Sequence, residues 1–206
     1  MAIRPAWTVI NNQIVQKNYE FVFNPGFSKT QKQKNVKALH SAIGKRTLEV
    51  STKSFDDIGV KLSAFNLKLD GIPLECVFQA SKKYEKGGPY TDLMSVSPKE
   101  AKRYERHYSS GRLISFEYNG IEFPLEPKTI FYDYIYLLSV RENFTTEELM
   151  GIIQFDFFTD IEFNPQKSIN CQAKSVALIK LILSKFGRIP NVDDFEEFKK
   201  VYMLTQ

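Results

Sequence analysis

The stretch Leu74–Tyr84, LECVFQASKKY, predicts a short helix around which the chain is organised. Its residues Glu75, Gln79 and Lys82 are spaced i, i+4 and i+7, which aligns their side chains on one helix face. A carboxylate and an amine on one face suit chemistry at a sugar carbon, because one can protonate a leaving group while the other attacks. Acids and lysines on helix faces are more often simply solvated, and spacing alone favours that interpretation.

The composition is that of an ordinary globular protein. The chain has 206 residues, of which 43% are hydrophobic and 25% charged, enough for one sizeable core. The net charge of +4 permits an anionic partner, such as nucleic acid or a diphosphate, without requiring one. We predict an α+β fold, mainly helical with short strands and hairpins, in a single domain. Its predicted parts are an N-terminal hairpin and helix (1–46), a core (47–187) and a C-terminal helix (188–206).

The cysteines and histidines predict no metal site. Cys76 and Cys171 form no CxxC pair, and His40 and His107 have no partner in the sequence, so both histidines are predicted to lie on the surface. Two free cysteines indicate a reducing, cytoplasmic location. No apolar run has the length of a membrane span or a signal peptide, so we expect no membrane contact.

Turn and cap signals predict most element boundaries. Asn11-Asn12-Gln13, Asp70-Gly71 and Asn119-Gly120 predict hairpin turns. Ser97 and Thr145 each precede a glutamate by three residues, which predicts helix N-caps. Helices are predicted over 29–43 (ended by Gly44), 129–141, 168–186 (ended by Gly187) and 192–204 (opened by Asn191).

Two stretches outside the predicted helices carry polar candidates. A buried strand, TLEVS (47–51), leads into a loop in which Ser51, Lys53 and Ser54 could hold a diphosphate through hydroxyls and backbone N–H groups. The loop lacks the Walker glycines, and a plain turn is the commoner explanation. DFFTDIEF (156–163) predicts a strand that exposes Asp160 and Glu162 on one side.

Two basic runs lie on predicted helices. Such runs are most often solvated faces, and the alternative is contact with a phosphate backbone. The first run comprises Lys29, Lys32, Lys34 and Lys37, and the second comprises Lys99, Lys102, Arg103 and Arg106.

Four segments, taken in order, resemble the NADAR (YbiA-like) superfamily. EVSTKSFDDIGVKLSAFN (49–66) is similar to the pattern F-Y-x-x-S … G … L-S-N-F, and LECVFQASKKY is similar to E-H-Y-F-Q-A-Q-K. SVSPKEAKRYERHYS resembles the SP-x-x-A-x-x-x-G/R helix, and FTDIEFNPQKSINCQA resembles L-V-E … G-x-N-x-L-G. The GGPYTDL and FPLEPKT stretches resemble the NADAR antitoxins that accompany DarT-type toxins.

That resemblance implies an N-glycosidase, a hydrolase that needs no cofactor. In the toxin-linked branch the substrate would be ADP-ribosylated guanine in single-stranded DNA, with RNA as the alternative, and free ADP-ribose would be the product. Removing the group would repair the base and make the protein an antitoxin, with an ADP-ribosyltransferase toxin as a further partner. Other members act on riboflavin-pathway intermediates or ADP-ribosylated RNA.

The resemblance also assigns roles to residues. Lys82 would attack the ribose anomeric carbon and give an imine, Glu75 would move protons, and Glu162 would stabilise oxocarbenium charge. Because an ordinary lysine is protonated at neutral pH, burial or nearby cations must lower the pKa of Lys82. The substrate-binding candidates are Phe65, Asn66, Gln79, Asp160 and Asn170, with Ser51, Lys53 and Ser54 for the diphosphate.

Three departures from the superfamily pattern bear on the substrate. Ala64 stands where LSNF has asparagine, Cys76 stands where E-H has histidine, and NPQKS replaces a tryptophan-glycine loop. They favour the toxin-linked branch over the riboflavin branch. Two other classes stay open: a module that binds ADP-ribose or modified nucleic acid without cleaving it, and a protein that neutralises a toxin by direct contact.

Overall fold

The computed structural model describes residues 1–190 and 194–205. The chain forms two compact units, which we call the terminal unit (residues 1–63 with the described residues from Phe144 onward) and the central unit (residues 64–143). Both combine helices with small sheets, which confirms the predicted α+β class. The division into a single domain with the boundaries given above stays a prediction.

The terminal unit is built on a four-stranded sheet of order β2-β1-β9-β3. Strand β1 pairs antiparallel with β2 and with β9, and β3 runs parallel to β9. The elements are β1 (Ala2–Ile10), β2 (Gln13–Phe21), α1 (Lys29–Ile43), β3 (Thr47–Glu49), α2 (Asp57–Lys61), α7 (Thr146–Ile153), β9 (Phe157–Thr159), α8 (Gln172–Phe186) and α9 (Phe195–Met203).

Burial in this sheet follows strand position. The central strand β1 buries four consecutive residues, Pro5–Thr8, whereas the edge strand β2 is mostly exposed. Helices α1 and α8 pack against the sheet, and α8 is apolar along most of its length because it lies in the core. Ala6, Val36 and Phe157 belong to one cluster of that core.

The central unit is organised around helix α3 and a three-stranded antiparallel sheet of order β6-β7-β8. Phe78 of α3 packs on Phe116 of β7, whose ring stacks 4.6 Å from that of Phe131 in α6. The elements are β4 (Lys68–Leu69), β5 (Ile72–Pro73), α3 (Leu74–Ala80), β6 (Lys82–Tyr84), a 3-10 helix (Thr91–Ser95), α4 (Pro98–Lys102), α5 (Arg106–Ser109), β7 (Leu113–Tyr118), β8 (Ile121–Phe123) and α6 (Ile130–Asn143).

Most of the predicted turns and caps are confirmed. The three hairpin turns join β1–β2, β4–β5 and β7–β8, with positive φ angles at Asn11, Asp70 and Asn119. Ser97 and Thr145 cap α4 and α7 with reciprocal bonds from the glutamate three residues on. Gly44 and Gly187 end α1 and α8 in the left-handed conformation.

Other predicted boundaries are corrected. The strand predicted over 156–163 stops at Thr159, and residues 161 and 162 form a turn. The second basic run is split between α4 and α5. The predicted helix over 168–186 begins only at Gln172. The predicted helix over 192–204 is present as α9 (Phe195–Met203), and its predicted opening residue, Asn191, lies outside the described residues.

Three findings bear on the class of protein. No helix within residues 1–190 and 194–205 is long and apolar enough to cross a membrane. In the same part of the chain, no group of three or more histidine, cysteine, aspartate or glutamate side chains could hold a metal ion. Cys76 and Cys171 are free and buried. The predicted cytoplasmic location stays a prediction.

We expect Gly88→Ala to destabilise the protein more than Gly71→Ala. Both glycines have positive φ angles, +86° and +76°, so alanine costs about 1–2 kcal/mol at either position. A Cβ at Gly88 would also lie 2.2 Å from the Lys82 carbonyl oxygen, whereas a Cβ at Gly71 meets nothing within 4 Å. Urea unfolding of both variants checks this, and equal losses of unfolding free energy would contradict it.

Candidate functional site

Glu75, Gln79 and Lys82 form a continuous hydrogen-bonded row in the central unit. The Lys82 ammonium donates to Gln79 Oε1 at 2.6 Å, and Gln79 Nε2 donates to Glu75 Oε1 at 2.9 Å. Glu75 and Gln79 are buried, and Lys82 is half-buried. The predicted grouping of these three side chains is therefore present in the structure.

The row is built differently from the single helix predicted over 74–84. Helix α3 ends at Ala80, and its C-cap Ser81 donates to the Val77 carbonyl through both its backbone N–H and its hydroxyl, at 3.1 and 2.8 Å. Lys82 is instead the first residue of β6, opposite Phe116 of β7. The i, i+7 alignment is thus wrong, and the helix-to-strand junction brings the amine to Gln79.

The start of α3 is held from the preceding segment. Leu74 N–H donates to the Leu67 carbonyl at 2.8 Å, and Glu75 N–H donates to the Ala64 carbonyl at 3.0 Å. Every residue of the helix is buried, so the Glu75 carboxylate has little freedom to move. The backbone thereby fixes the acid of the row.

The pKa of the Lys82 amine is lowered to about 8, chiefly by burial; the charge of Glu75 opposes this effect, and the charge of Lys102 adds to it by a smaller amount. The ammonium also lies 5.2 Å from the Phe78 ring centre. At pH 7 a pKa of about 8 leaves roughly a tenth of the amines neutral, against well under one in a thousand for an ordinary lysine. Lys82 therefore has the neutral form that a nucleophile requires.

Lys102, at the end of α4, is the cation that pairs with the acid of the row. Its Nζ lies 3.6 Å from Glu75 Oε1, and 5.8 Å from the ring centre of Phe65. Its side chain is 59% exposed, so solvent weakens the ion pair with Glu75. Lys102 both balances the carboxylate and disfavours a second positive charge on Lys82.

The two remaining candidates of the central unit, Phe65 and Asn66, are both exposed residues that directly precede the segment leading into α3. Phe65 exposes 38% of its surface. Its contact with Lys102 links it to the acid of the row. The predicted role of Asn66 at the ribose stays a prediction.

His107 is not a surface histidine, contrary to the prediction. Its Nε2–H donates to the Ala101 carbonyl at 3.1 Å, so in the neutral ring Nδ1 accepts from the Tyr84 hydroxyl at 3.0 Å. Burial and the charge of Lys82 lower the pKa of His107 to about 4. The imidazole is therefore neutral at physiological pH and supports the segment between α3 and α5.

The basic patch predicted from the second run is partly engaged inside the central unit. Arg106 pairs with Asp92, and its guanidinium lies 4.2 Å from the Tyr90 ring and 4.4 Å from the Tyr104 ring. Lys102 pairs with Glu75. Lys99 and Arg103 stay exposed, so the free positive charge is smaller than the sequence indicates.

In the terminal unit a buried glutamate, Glu49, lies at the centre of a polar cluster. It accepts from the Ser51 hydroxyl at 2.6 Å, the Thr159 hydroxyl at 2.8 Å and the Ile161 N–H at 2.9 Å. Burial, and next the charge of Asp160, raise the pKa of Glu49 to about 8. Burial and the charge of Asp160 thus favour the protonated form of Glu49.

His40 belongs to the same cluster, which corrects its predicted surface position. Because the Thr159 hydroxyl donates to Glu49, it accepts from His40 Nε2 at 2.9 Å. Burial lowers the pKa of His40 to about 4. The cluster therefore joins a neutral imidazole, a hydroxyl and a protonated carboxyl.

The side chains of the loop that follows β3 form hydrogen bonds within the loop and to Glu49. Ser51 Oγ accepts from the Lys53 N–H at 3.1 Å while donating to Glu49, and Ser54 Oγ accepts from the Asp56 N–H at 3.1 Å. Lys53 Nζ donates to Thr52 Oγ1 at 2.8 Å. Ser51 and Ser54 are buried, so the half-buried Lys53 is the most accessible of the three diphosphate candidates.

The predicted pair of Asp160 and Glu162 does not share an exposed face. Asp160 is buried and accepts from Gln172 Nε2 at 3.0 Å, whereas Glu162 is exposed and pairs with Lys32 at 3.4 Å. The reason is that β9 ends at Thr159, so strand alternation does not continue. Asn170 is half-buried, and its carbonyl accepts from the Ser168 hydroxyl at 3.1 Å.

Sequence reasoning missed Glu49, Lys102 and His107 as parts of these clusters. A signal existed for Glu49, because a lone acid within the apolar strand TLEVS must be buried with partners. Lys102 and His107 meet their partners only through the packing of separate elements. No local spacing indicates those contacts.

Comparison of the sequence with known protein families identifies the family of the chain. The sequence matches the family of DarT1-associated NADAR antitoxins over residues 2–206, and the chain belongs to that family. A search of curated proteins gave no match. The superfamily resemblance drawn from the four segments is thereby confirmed, including the association with DarT-type toxins.

We expect Lys102→Gln to raise the pKa of Lys82, because it removes a positive charge that disfavours the ammonium. The pH dependence of Lys82 acetylation by acetic anhydride, quantified on the Lys82 peptide by mass spectrometry, reports this pKa. Lys99→Gln, at an exposed residue of the same helix, is the control and should keep the wild-type midpoint. Identical midpoints in both variants would contradict the role of Lys102.

We expect the unfolding free energy to fall as the pH rises from about 6.5 to about 8, and Glu49→Gln to flatten this slope. The folded protein keeps the Glu49 proton up to its pKa of about 8, whereas the unfolded chain loses it near the ordinary value of 4.5. The lowered pKa values of His40 and His107 affect the unfolding free energy below about pH 6.5, and the lowered pKa of Lys82 affects it above about pH 8.

Urea unfolding at several pH values measures the slope, which for one group is at most about 1.4 kcal/mol per pH unit. Glu147→Gln, at an exposed glutamate of α7, is the matched control and should retain the wild-type slope. A Glu49→Gln slope equal to that of wild type would show that Glu49 ionises normally.

Proposed function

We propose that this antitoxin is an ADP-ribosyl glycohydrolase that removes ADP-ribose from guanine bases of single-stranded DNA. The observation that carries the proposal is the hydrogen-bonded row of Glu75, Gln79 and Lys82, in which the pKa of the lysine is lowered to about 8. Family membership supports an antitoxin role and N-glycosidase chemistry in general. The proposal goes beyond family membership in two respects: the modified base is guanine, and the strand that carries it is DNA.

The proposed reaction begins with the neutral Lys82 amine. Its nitrogen attacks the anomeric carbon of the ribose attached to guanine, and the bond from that carbon to the guanine nitrogen breaks. A proton passes through Glu75 to the leaving base, which is then restored in the strand. The bond from the anomeric carbon to the ring oxygen then opens, which converts the lysine adduct to an imine. Water hydrolyses this imine, which releases ADP-ribose and regenerates the amine.

The surrounding residues have distinct proposed roles. Gln79 positions the amine and contacts the ribose hydroxyls, and Phe65 offers a ring face to a base. The charge of Lys102 adds to burial in raising the fraction of neutral Lys82 amine. The contributions of Ser51, Lys53 and Ser54 to diphosphate binding, and of Asn66, Asp160, Glu162 and Asn170, are proposed from the family resemblance alone.

A single-stranded or extruded nucleotide is the form of substrate that fits this chemistry. An amine cannot reach the carbon of an adduct on a guanine that is stacked inside a duplex, so the nucleotide must be unpaired or flipped out. RNA carrying the same adduct is the alternative substrate, and a parallel reaction with modified RNA separates the two.

We expect Lys82→Ala to lower the rate of ADP-ribose release by roughly 10³-fold or more, because the nucleophile is removed. Lys83→Ala is the matched control: Lys83 pairs with Glu117 and Glu122, which raise its pKa, so it stays protonated and should be dispensable. Release is followed by chromatography after incubation with guanine-ADP-ribosylated single-stranded DNA. Adding borohydride should trap a covalent adduct in wild type and Lys83→Ala but not in Lys82→Ala.

Other outcomes distinguish the alternatives. Release without a trapped adduct would exclude Lys82 as the nucleophile and would indicate that an acidic residue activates water instead. Binding of modified DNA with no free ADP-ribose would indicate a binding module. Full protection from the toxin by Lys82→Ala would indicate neutralisation by direct contact instead of catalysis.

A further inference from the structure

One segment of the terminal unit, residues 21–55, has a highly uneven charge. It carries seven cationic side chains and one acid, Glu49. That acid is buried, and its raised pKa favours the uncharged form, so it does little to balance the cations at neutral pH. The seven cations are Lys29, Lys32, Lys34, Lys37, Lys45, Arg46 and Lys53.

Helix α1 orders the central part of this positive charge. It buries Val36, Leu39 and Ile43 on one side, and Lys34 and Lys37 are exposed. None of its fifteen residues is acidic, so no side chain of the helix neutralises its lysines. Of the four lysines in α1, Lys32 is paired with Glu162, at 3.4 Å.

Exposed phenylalanines accompany these lysines. Phe27, just before the N-cap Ser28, is 99% exposed, and Phe55 is 51% exposed. The Lys37 ammonium lies 4.9 Å from the Phe55 ring centre, so a cation and an accessible ring meet in one place. Asp56 and Asp57, which follow Phe55, end the positive segment.

The lysines of α1 span a length that can accommodate more than one nucleotide. Lys37 lies eight residues beyond Lys29, or about 12 Å along the helix axis at 1.5 Å per residue. A strand in a duplex advances about 3.4 Å per nucleotide. Several phosphates could thus contact the helix.

We propose that Phe27, Phe55, Lys29, Lys34 and Lys37, which we call the lysine–phenylalanine surface, bind a single strand of nucleic acid. The lysines contact successive phosphates, and the rings stack on bases of any sequence, which is how non-specific single-strand binders work. A purely anionic protein partner would use the lysines but would leave the almost fully exposed Phe27 ring without a role. This proposal rests on the proposed function in one respect: the strand bound at this surface would be the one that carries the modified guanine.

The test is binding of unmodified oligonucleotides to the full chain, measured by fluorescence anisotropy. Fluorescein-labelled oligothymidylate and oligouridylate of about 15 nucleotides serve as probes, at salt concentrations between about 50 and about 200 mM. The charge variant is Lys34→Gln with Lys37→Gln. Its control is Lys199→Gln with Lys200→Gln in α9. This control changes the net charge by the same amount, in a helix that also carries Glu196 and Glu197.

For the wild-type protein we expect binding that weakens steeply with salt. The Lys34/Lys37 double variant should reduce the magnitude of the log–log salt slope by about 1.4, because each phosphate that a lysine neutralises on a single strand accounts for about 0.7. Phe27→Ala should weaken binding about 5- to 150-fold, as expected when one base is no longer stacked. Ile169→Ala, at another exposed apolar residue, should have no effect. Tighter binding of either probe identifies DNA or RNA as the preferred strand.

Three results would overturn the proposal. The first is that neither probe binds at low salt. The second is that the Lys34/Lys37 variant and its α9 control weaken binding equally. The third is that Phe27→Ala binds the probes as tightly as the wild-type protein. Thermal unfolding of each variant verifies that it is folded. ADP-ribose release with no strand binding would reject this surface alone, and strand binding with no release would reject the proposed hydrolase alone.

Discussion

The hydrogen bond from the Lys82 ammonium to the Gln79 side chain is the interaction on which the candidate site depends. A carboxylate at that position would be a full negative charge 2.6 Å from the amine and would hold it in the protonated form. The neutral amide orients the amine without that charge, so the effect of burial prevails. The Glu75 carboxylate accepts a hydrogen bond from Nε2, at the other end of the Gln79 amide, and its charge raises the pKa of Lys82.

The same physical effect operates on groups of opposite charge type in the two units. Burial disfavours the ammonium of Lys82 in the central unit, and it disfavours the carboxylate of Glu49 in the terminal unit. The anion Asp160 adds to the effect of burial on Glu49, whereas at Lys82 the anion Glu75 opposes burial and the cation Lys102 supports it by a smaller amount. Each unit therefore contains a titratable group whose neutral form is favoured relative to the same group in water.

Features determined by neighbouring residues could be predicted from the sequence, whereas those that depend on distant residues could not. The Asn119-Gly120 turn and the Ser97 and Thr145 caps depend on contacts within a few residues. The family resemblance also identified the lysine–glutamate row. Lys82, however, lies in a strand because β6 pairs with β7, more than thirty residues further along the chain. Asp160 is buried because β9 stops early and α8 contributes a partner to its carboxylate, and neither contact has a periodic signature.

The order of strands in the terminal sheet has a consequence for synthesis on the ribosome. Trp7 in β1 pairs with Phe158 in β9, and Leu48 in β3 pairs with Phe158 from the other side, so the middle of this sheet forms only after residue 158 has emerged. The central unit, residues 64–143, is contiguous and is complete earlier. A nascent chain thus exposes unpaired edges of β1 and β3 through most of translation, and only a nearly finished polypeptide can cover them.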